Sequence, residues 1–370
     1  MTDWTSWPLL WSKKVSGRVA WLLATMLLLG GCGSVRYYAQ AVRGQGALVT
    51  QRQSIDVMVR APGTSPALAA RLRLAQDARR FATTDLDLPD NRSYTRYVDL
   101  HRPFVVWNVF VAPPYSVNAV SQCFPVAGCV AYRGWFSAAA ADADAARWKQ
   151  RGMDVWVGGV SAYSTLGWFA DPIVSSMLRW DDDELIGTIF HELAHQKLYV
   201  KGDTAFNESF ATFVQRQGVR QWHLARGLPP PGTGGARIDA GFTHLVLDLR
   251  ERLRVLYASG ADKTSLALAK QREIAAFRQR YVVWRDSAGA DASRYDRWAA
   301  GPINNASLLP FGLYEQWTPA FAALFGDVKC IWPAFYARVK SLTRKPKSAR
   351  DRTLQGLMDR PRTVPLACAR

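Results

Sequence analysis

Histidine and cysteine are scarce in this chain, five of each among 370 residues, and acidic groups number 30 against 47 lysines and arginines. No internal repeat is visible, which removes solenoid and propeller architectures. The apolar run near the N-terminus, Val19 to Gly31, is 13 residues long. That is short of the roughly 20 residues a helix needs to cross a bilayer core. Disorder is excluded as well, because 49% of the residues are hydrophobic and 12% aromatic, enough to bury a full core. One large domain, or two closely packed ones, is the expectation.

The short apolar run has a context of its own. Lys13, Lys14 and Arg18 precede it, and Leu29-Gly30-Gly31-Cys32 closes it. A charged segment, an apolar segment and a small-residue cleavage site make a signal peptide over residues 1–31. The last four residues resemble the lipobox of bacterial lipoproteins, in which the cysteine, here Cys32, is lipidated and becomes the first mature residue. By the sorting rule of those proteins, Gly33 rather than Asp after the cysteine implies an outer-membrane anchor facing the periplasm. Removing residues 1–31 takes away Lys13, Lys14, Arg18 and Asp3, so the net charge falls from +17 to +15. Such a surface favours anionic lipid or acidic envelope polymers. Nucleic acid is not expected as a partner, since no recognition motif is present and the chain reads as exported.

With Cys32 lipidated, four cysteines remain in an oxidising compartment. Cys123 and Cys129 flank the turn-forming Phe-Pro-Val-Ala-Gly, and Cys330 with Cys368 is then the second expected pair.

Residues 33–60 read as a linker-like entry, followed by an Ala/Arg/Leu helix near 65–82 that Asp85-Leu-Asp-Leu-Pro-Asp-Asn91 terminates. Three runs rich in β-branched and aromatic residues read as strands: Phe104–Val111, Gly128–Phe136 and Asp154–Gly158. An Ala-rich helix, Ala138 to Gly152, lies between the last two. From Asp181 the chain is helical in pattern. Asp181-Asp-Asp-Glu184 supplies an N-cap and an acidic first turn, and Gly202-Asp203 stops that helix. A second helix follows from Thr204 to Gln221. Pro229 to Gly235 reads as a loop, with helices near 239–258, 262–283, 312–326 and 331–342 beyond it. The layout is α+β: a single domain over residues 32–370, sheet-containing over about 60–180 and helical over 181–370.

Two of the five histidines fall in His191-Glu192-Leu193-Ala194-His195, the H-E-x-x-H pattern. Residues four apart on a helix differ by about 40°, so both imidazoles leave one face, about 6 Å apart along the axis. They are placed to share one metal ion, and zinc is the cofactor expected, one per chain. Glu192 points about 100° away. It is the candidate general base toward a water whose pKa zinc lowers to about 7. A catalytic zinc takes three protein ligands and keeps a position open. Glu208, in Asn207-Glu-Ser-Phe-Ala211, is the leading third ligand. The midpoint between His195 and Glu208 falls at Lys201-Gly202, where the helix breaks, so a fold-back sets the two opposite each other. Asp203 is the second choice, with a cap role competing. His223 and His244 lie on polar stretches and read as surface residues.

These motifs, together with Cys123–Cys129, Tyr132-Arg-Gly-Trp-Phe136 and Gly158-Gly-Val-Ser-Ala-Tyr-Ser-Thr-Leu-Gly-Trp-Phe169, resemble the bacterial putative aminopeptidase lipoprotein family. The similarity runs from about Cys32 through the C-terminal helices. More loosely, the chain is similar to the gluzincin peptidases with their H-E-x-x-H and N-E-x-x-A segments. The resemblance implies a zincin-like fold, with a small sheet on a helical body and the histidine helix at the cleft, and hydrolysis of peptide bonds. One departure stands out. Gluzincin aminopeptidases hold the substrate's amino terminus with a glutamate in a Gly-x-Met-Glu-Asn segment, and the comparable Gly158–Tyr163 has no carboxylate. Asp171 is the substitute, with a turn role before Pro172 competing. The glycine-rich strand edge is suited to pairing with an extended substrate. Tyr163 and Tyr314 are the candidate donors to a developing oxyanion.

The reading is a lipid-anchored zinc metallopeptidase with a peptide substrate. Its rivals are a non-catalytic basic envelope lipoprotein that binds peptidoglycan or lipid, and a zinc amidase acting on cell-wall peptides. The oligomeric state is left open.

Overall fold

Ser65, Ser137, Asp181, Asp203 and Asp262 each accept a backbone N–H at the start of a helix. Each thereby satisfies a donor that the first turn leaves without a partner. The computed structural model describes residues 32–124, 128–162, 164–165, 169–311 and 316–359. In chain order these form α1 (Cys32–Thr50), β1 (Gln53–Ser54), α2 (Ile55–Met58), α3 (Pro66–Thr84), β2 (Arg96–Val98), β3 (Val106–Ala112), β4 (Gln122–Phe124), β5 (Gly128–Val130) and β6 (Tyr132–Trp135). There follow α4 (Ala138–Gln150), β7 (Asp154–Val160), β8 (Ile173–Val174), α5 (Asp182–Lys197), α6 (Thr204–Ala225), α7 (Thr233–Tyr257), α8 (Lys263–Ala288), α9 (Asp296–Ala300), α10 (Thr318–Asp327), α11 (Trp332–Thr343) and α12 (Lys347–Met358). The fold is mixed α+β, mostly helical, with small sheets. The chain divides into two units, Met1–Ala47 and Leu48–Arg370.

Within the second unit, β6, β3 and β7 form an antiparallel sheet with β3 central. A second sheet has the order β1-β2-β8, with β2 and β8 parallel. The hairpin β4–β5 sets Cys123 opposite Cys129, and the two are disulfide-bonded. Cys330 is also disulfide-bonded, while Cys368, its expected partner, lies outside the described residues. Residues 1–31 lie outside them too, and Cys32 is the first residue of α1.

The main core packs α3, α5, α6, α10, α11 and α12 around buried Phe190, Phe206, Phe210, Phe321 and Phe335. Phe210 stacks on Phe335 with ring centroids 6.0 Å apart and meets Phe321 edge-on at 5.7 Å. A second cluster holds α7 against α8 through Phe242, Val246, Leu249, Ile274 and Phe277. Gly218 sets how closely α6 crosses α5: a Cβ there would stand 2.7 Å from the Phe190 ring and 2.8 Å from Leu86. Among the described residues no helix is long and apolar enough to cross a membrane.

Several boundaries differ from the sequence reading. The supposed linker at 33–60 contains α1. Its Gly44 and Gly46 and scattered apolar residues hide a helix that Ala, Gln, Arg and Leu favour. The loop at 229–235 is shorter, because α7 begins at Thr233 and Arg294 fixes its glycine-rich first turn by donating to the Gly235 carbonyl at 2.9 Å. The histidine helix stops at Lys197 rather than at Gly202, since Leu198 is already extended. The helix drawn from 312 begins at Thr318 within the described residues.

Candidate metal centre

Leu185, Ile189, Phe190 and Leu193 bury one face of α5, and that packing carries His191 and His195 inward to 9% and 7% exposure. The chain then folds back as the fourfold spacing and the helix break require. Gly202 takes φ +78°, Asp203 caps α6 by accepting from Phe206 N at 3.3 Å, and α5 lies along α6. Asn207 locks the connection. Its side chain accepts from Val200 N and donates to Val200 O, both at 2.8 Å, one residue before Glu208.

The result is a convergence of three donors. His191 Nε2 and His195 Nε2 are 3.1 Å apart, and Glu208 Oε2 is 3.3 Å from the first and 3.6 Å from the second. Among the described residues these three form a group able to hold a metal ion. Tetrahedral zinc with bonds of about 2.0–2.1 Å sets its ligand atoms roughly 3.3 Å apart, so the donor set fits that ion in type and in spacing. Electrostatics agree with the geometry. Burial alone pushes the Glu208 carboxyl up, but the charges and hydrogen bonds of His195 and His191 outweigh it and hold it well below the usual carboxylate range. For His195 burial opposes the charged form, and Glu208, with a smaller contribution from Glu192, raises its pKa overall. His191 Nδ1 meets Gln215 Oε1 at 3.0 Å, while His195 Nδ1 is buried with no hydrogen-bond partner among the described residues.

Glu192 stays outside this trio and is partly exposed. Its charge reaches Tyr94, whose pKa is driven well above the ordinary phenol by burial first, then by Glu192 and Asp171. Tyr94 is 1% exposed and has φ +61°; among the described residues its hydroxyl is buried without a well-formed hydrogen bond, and the Ser164 side chain only partly offsets the rise in its pKa. Its backbone is pinned by Asp171 O at 2.6 Å and by the Gln76 amide at 2.6 Å. The neighbouring Asn91 donates to Gln196 on α5 at 2.7 Å. Tyr199 approaches His195 edge-on, ring centroids 6.4 Å apart, and burial followed by the Glu208 charge raises its pKa. Neither tyrosine was marked in the sequence, because nothing local to Tyr94 or Tyr199 announces a neighbour brought up by folding. Tyr163 and Tyr314, the two hydroxyls that were marked, lie outside the described residues.

Other candidates occupy different roles. Asp203 faces Arg350, not the histidines, in an ion pair with both side chains at 4% exposure or less. Asp171 is buried, with its oxygens taken by Thr165 N at 2.9 Å, Thr165 Oγ1 at 2.8 Å and Ser164 Oγ at 3.3 Å. It is thus an anchor for its own loop. Burial first, and Glu192 among the lesser causes, push its pKa up to about 6. Gly158 and Gly159 leave room for the rings of Trp156 and Phe104, which a Cβ would meet at 2.3 and 2.2 Å. Those two rings explain why neither position carries a side chain, and β7 stands at the edge of its sheet among the described residues. His244 is exposed as expected, but His223 is part-buried, with Nε2 2.6 Å from Asp183 at the start of α5.

No curated protein and no solved structure matches the chain. One family model does, over residues 36–354, and its description is putative aminopeptidase. That span includes the whole of α5 and α6 with their three convergent donors. The chain belongs to the putative aminopeptidase family, and membership supports a peptidase-like function.

Proposed function

We propose that this protein is a zinc-dependent peptidase of the cell envelope. The observation that carries the reading is the meeting of His191 Nε2, His195 Nε2 and Glu208 Oε2 at 3.1–3.6 Å, contributed by two helices that fold back on each other. Those three side chains would hold the ion. When bound, zinc supplies Lewis-acid polarisation of a carbonyl and makes water a stronger acid.

The rest is the work of the chain's own groups. Glu192 is the general base: it adjoins His191 but is turned about 100° from it, so its carboxylate is left free of ligation to accept a proton. Gln215 holds the His191 ring by its Nδ1. Tyr94 keeps its proton under burial and the negative charge of Glu192 and Asp171, and so offers a hydroxyl hydrogen to charge on the base side of the site. The basic N-terminal segment and Cys32 support attachment through a lipid, in an oxidising compartment with which the Cys123–Cys129 disulfide agrees.

The test is a product profile. Zinc-loaded protein is incubated with a mixed peptide library, and the fragments are identified by mass spectrometry beside the Glu192→Gln variant. Stepwise loss of N-terminal residues marks an aminopeptidase, and internal cuts mark an endopeptidase. Intact peptides with the wild type, or equal cleavage by Glu192→Gln, contradict the reading.

A further inference from the structure

A cavity of about 300 Å³ that includes none of the three metal-ligand candidates is lined by Val49, Arg52, Arg92, Thr95, Arg96 and Ala170. Half of that lining is arginine, and none of it is acidic. Arg52 is fixed in place, with Nε donating to Val49 O at 3.0 Å and Nη1 to Ala170 O at 2.8 Å. Both acceptors are neutral, so its charge has no counter-ion there. Arg92 and Arg96 make no side-chain hydrogen bond or ion pair with any described residue.

Three carboxylates near Arg92, Arg96 and Ala170 in sequence already have partners. Asp90 pairs with Arg79 at 2.9 Å, Asp99 with His101 at 3.6 Å, and Asp171 is turned to Thr165 and Ser164. By contrast Arg71 and Arg79 on α3 both find acidic partners. Three cations facing one concavity repel one another until an anion enters.

We propose that this cavity is a binding site for a phosphate group. Guanidinium forks match phosphate oxygens two at a time, and three guanidinium groups can surround the tetrahedral oxygens of a phosphate more fully than a planar carboxylate. The volume lies at the lower end of the range for ligand pockets, about 300–1,000 Å³, so the phosphate enters with at most a small substituent. Two sources share that chemistry: a free phosphate or small phosphate ester, and a phospholipid headgroup. None of the lining residues is a metal ligand, so the site stands or falls independently of the peptidase reading.

The test uses the full chain and the double variant Arg92→Gln/Arg96→Gln, because those side chains hold no other part of the fold and Arg52 does. Calorimetry with inorganic phosphate is run alongside flotation on phosphatidylcholine vesicles with and without phosphatidylglycerol. An unchanged melting temperature shows that the variant is folded. The site predicts wild-type binding in at least one arm, weakened tenfold or more in the double variant. Loss confined to the phosphate arm identifies a free phosphate. Loss of the extra flotation on phosphatidylglycerol, with phosphate competing in the wild type, identifies the headgroup. Wild-type binding in neither arm, or a double variant within twofold of wild type in both, overturns the proposal.

Discussion

His191 Nδ1 lies 3.0 Å from the side-chain oxygen of Gln215, two turns beyond Glu208 on the same helix. With Nδ1 donating to that amide, the lone pair of Nε2 is directed at His195 and Glu208. Partners of this kind are worth about 10- to 100-fold in metal affinity. Gln215→Leu is expected to weaken zinc binding by that factor in a chelator competition, with the three ligands intact. Affinity equal to wild type would show that the contact is incidental.

Tyr94 combines a left-handed backbone, which a bulky side chain rarely adopts, with a buried hydroxyl that has no well-formed hydrogen bond among the described residues. A fold selected for stability alone has no use for either. Tyr94→Phe removes the unsatisfied group and is expected to leave the melting temperature unchanged or higher. If the hydroxyl serves the base, turnover falls about 100- to 1,000-fold while zinc content and KM stay put. A variant with wild-type turnover assigns Tyr94 to packing alone.

Asp171 has a pKa of about 6 in the folded chain against 3.8 for the ordinary group, chiefly through burial. Below about pH 4 it is neutral in both folded and unfolded states. Between pH 4 and 6 the unfolded chain releases the proton and the folded chain keeps it, so stability falls as pH rises, by up to about 3 kcal/mol. Asp171→Asn lacks this loss. Urea denaturation at pH 4, 5, 6 and 7 is expected to show the variant gaining on wild type up to pH 6 and running parallel above it. Curves that stay parallel throughout would contradict the burial of an ionisable Asp171.

Arg350 and Asp203 form an ion pair at the start of α6, with side chains only 4% and 3% exposed. Replacing Arg350 with Met leaves the carboxylate buried, with the Phe206 N–H at 3.3 Å and, as its remaining cation among the described residues, Lys347 at 3.7 Å. The expected loss is about 3–5 kcal/mol in denaturant unfolding. Zinc per folded chain is expected to stay the same, since Asp203 faces away from the histidines. Zinc lost at unchanged stability would instead make Asp203 a ligand.

Much of the helical half was legible because its signals are local. Asp181 and Asp203 mark helix starts by their own hydrogen bonds, and the apolar spacing from Leu185 to Leu193 declares which face of α5 is buried. The proximity of His191 to His195 follows from helix geometry alone, and that of Glu208 needed only a chain reversal between Lys197 and Thr204. Strands of two or three residues, such as Gln53–Ser54 and Ile173–Val174, carry no period to read. Gln215 and Tyr94 were illegible for another reason. Their importance comes from neighbours 24 residues away in one case and on separate elements in the other, and no sequence pattern records such a meeting.

The metal centre stands or falls on the zinc content of the purified protein. Elemental analysis is run on purified wild type, His195→Ala, Glu208→Gln and Glu192→Gln, each after dialysis against the same trace of free zinc. Wild type and Glu192→Gln are expected to carry one zinc per chain, Glu208→Gln less, and His195→Ala none. Equal zinc in wild type and His195→Ala would contradict a metal centre at these residues.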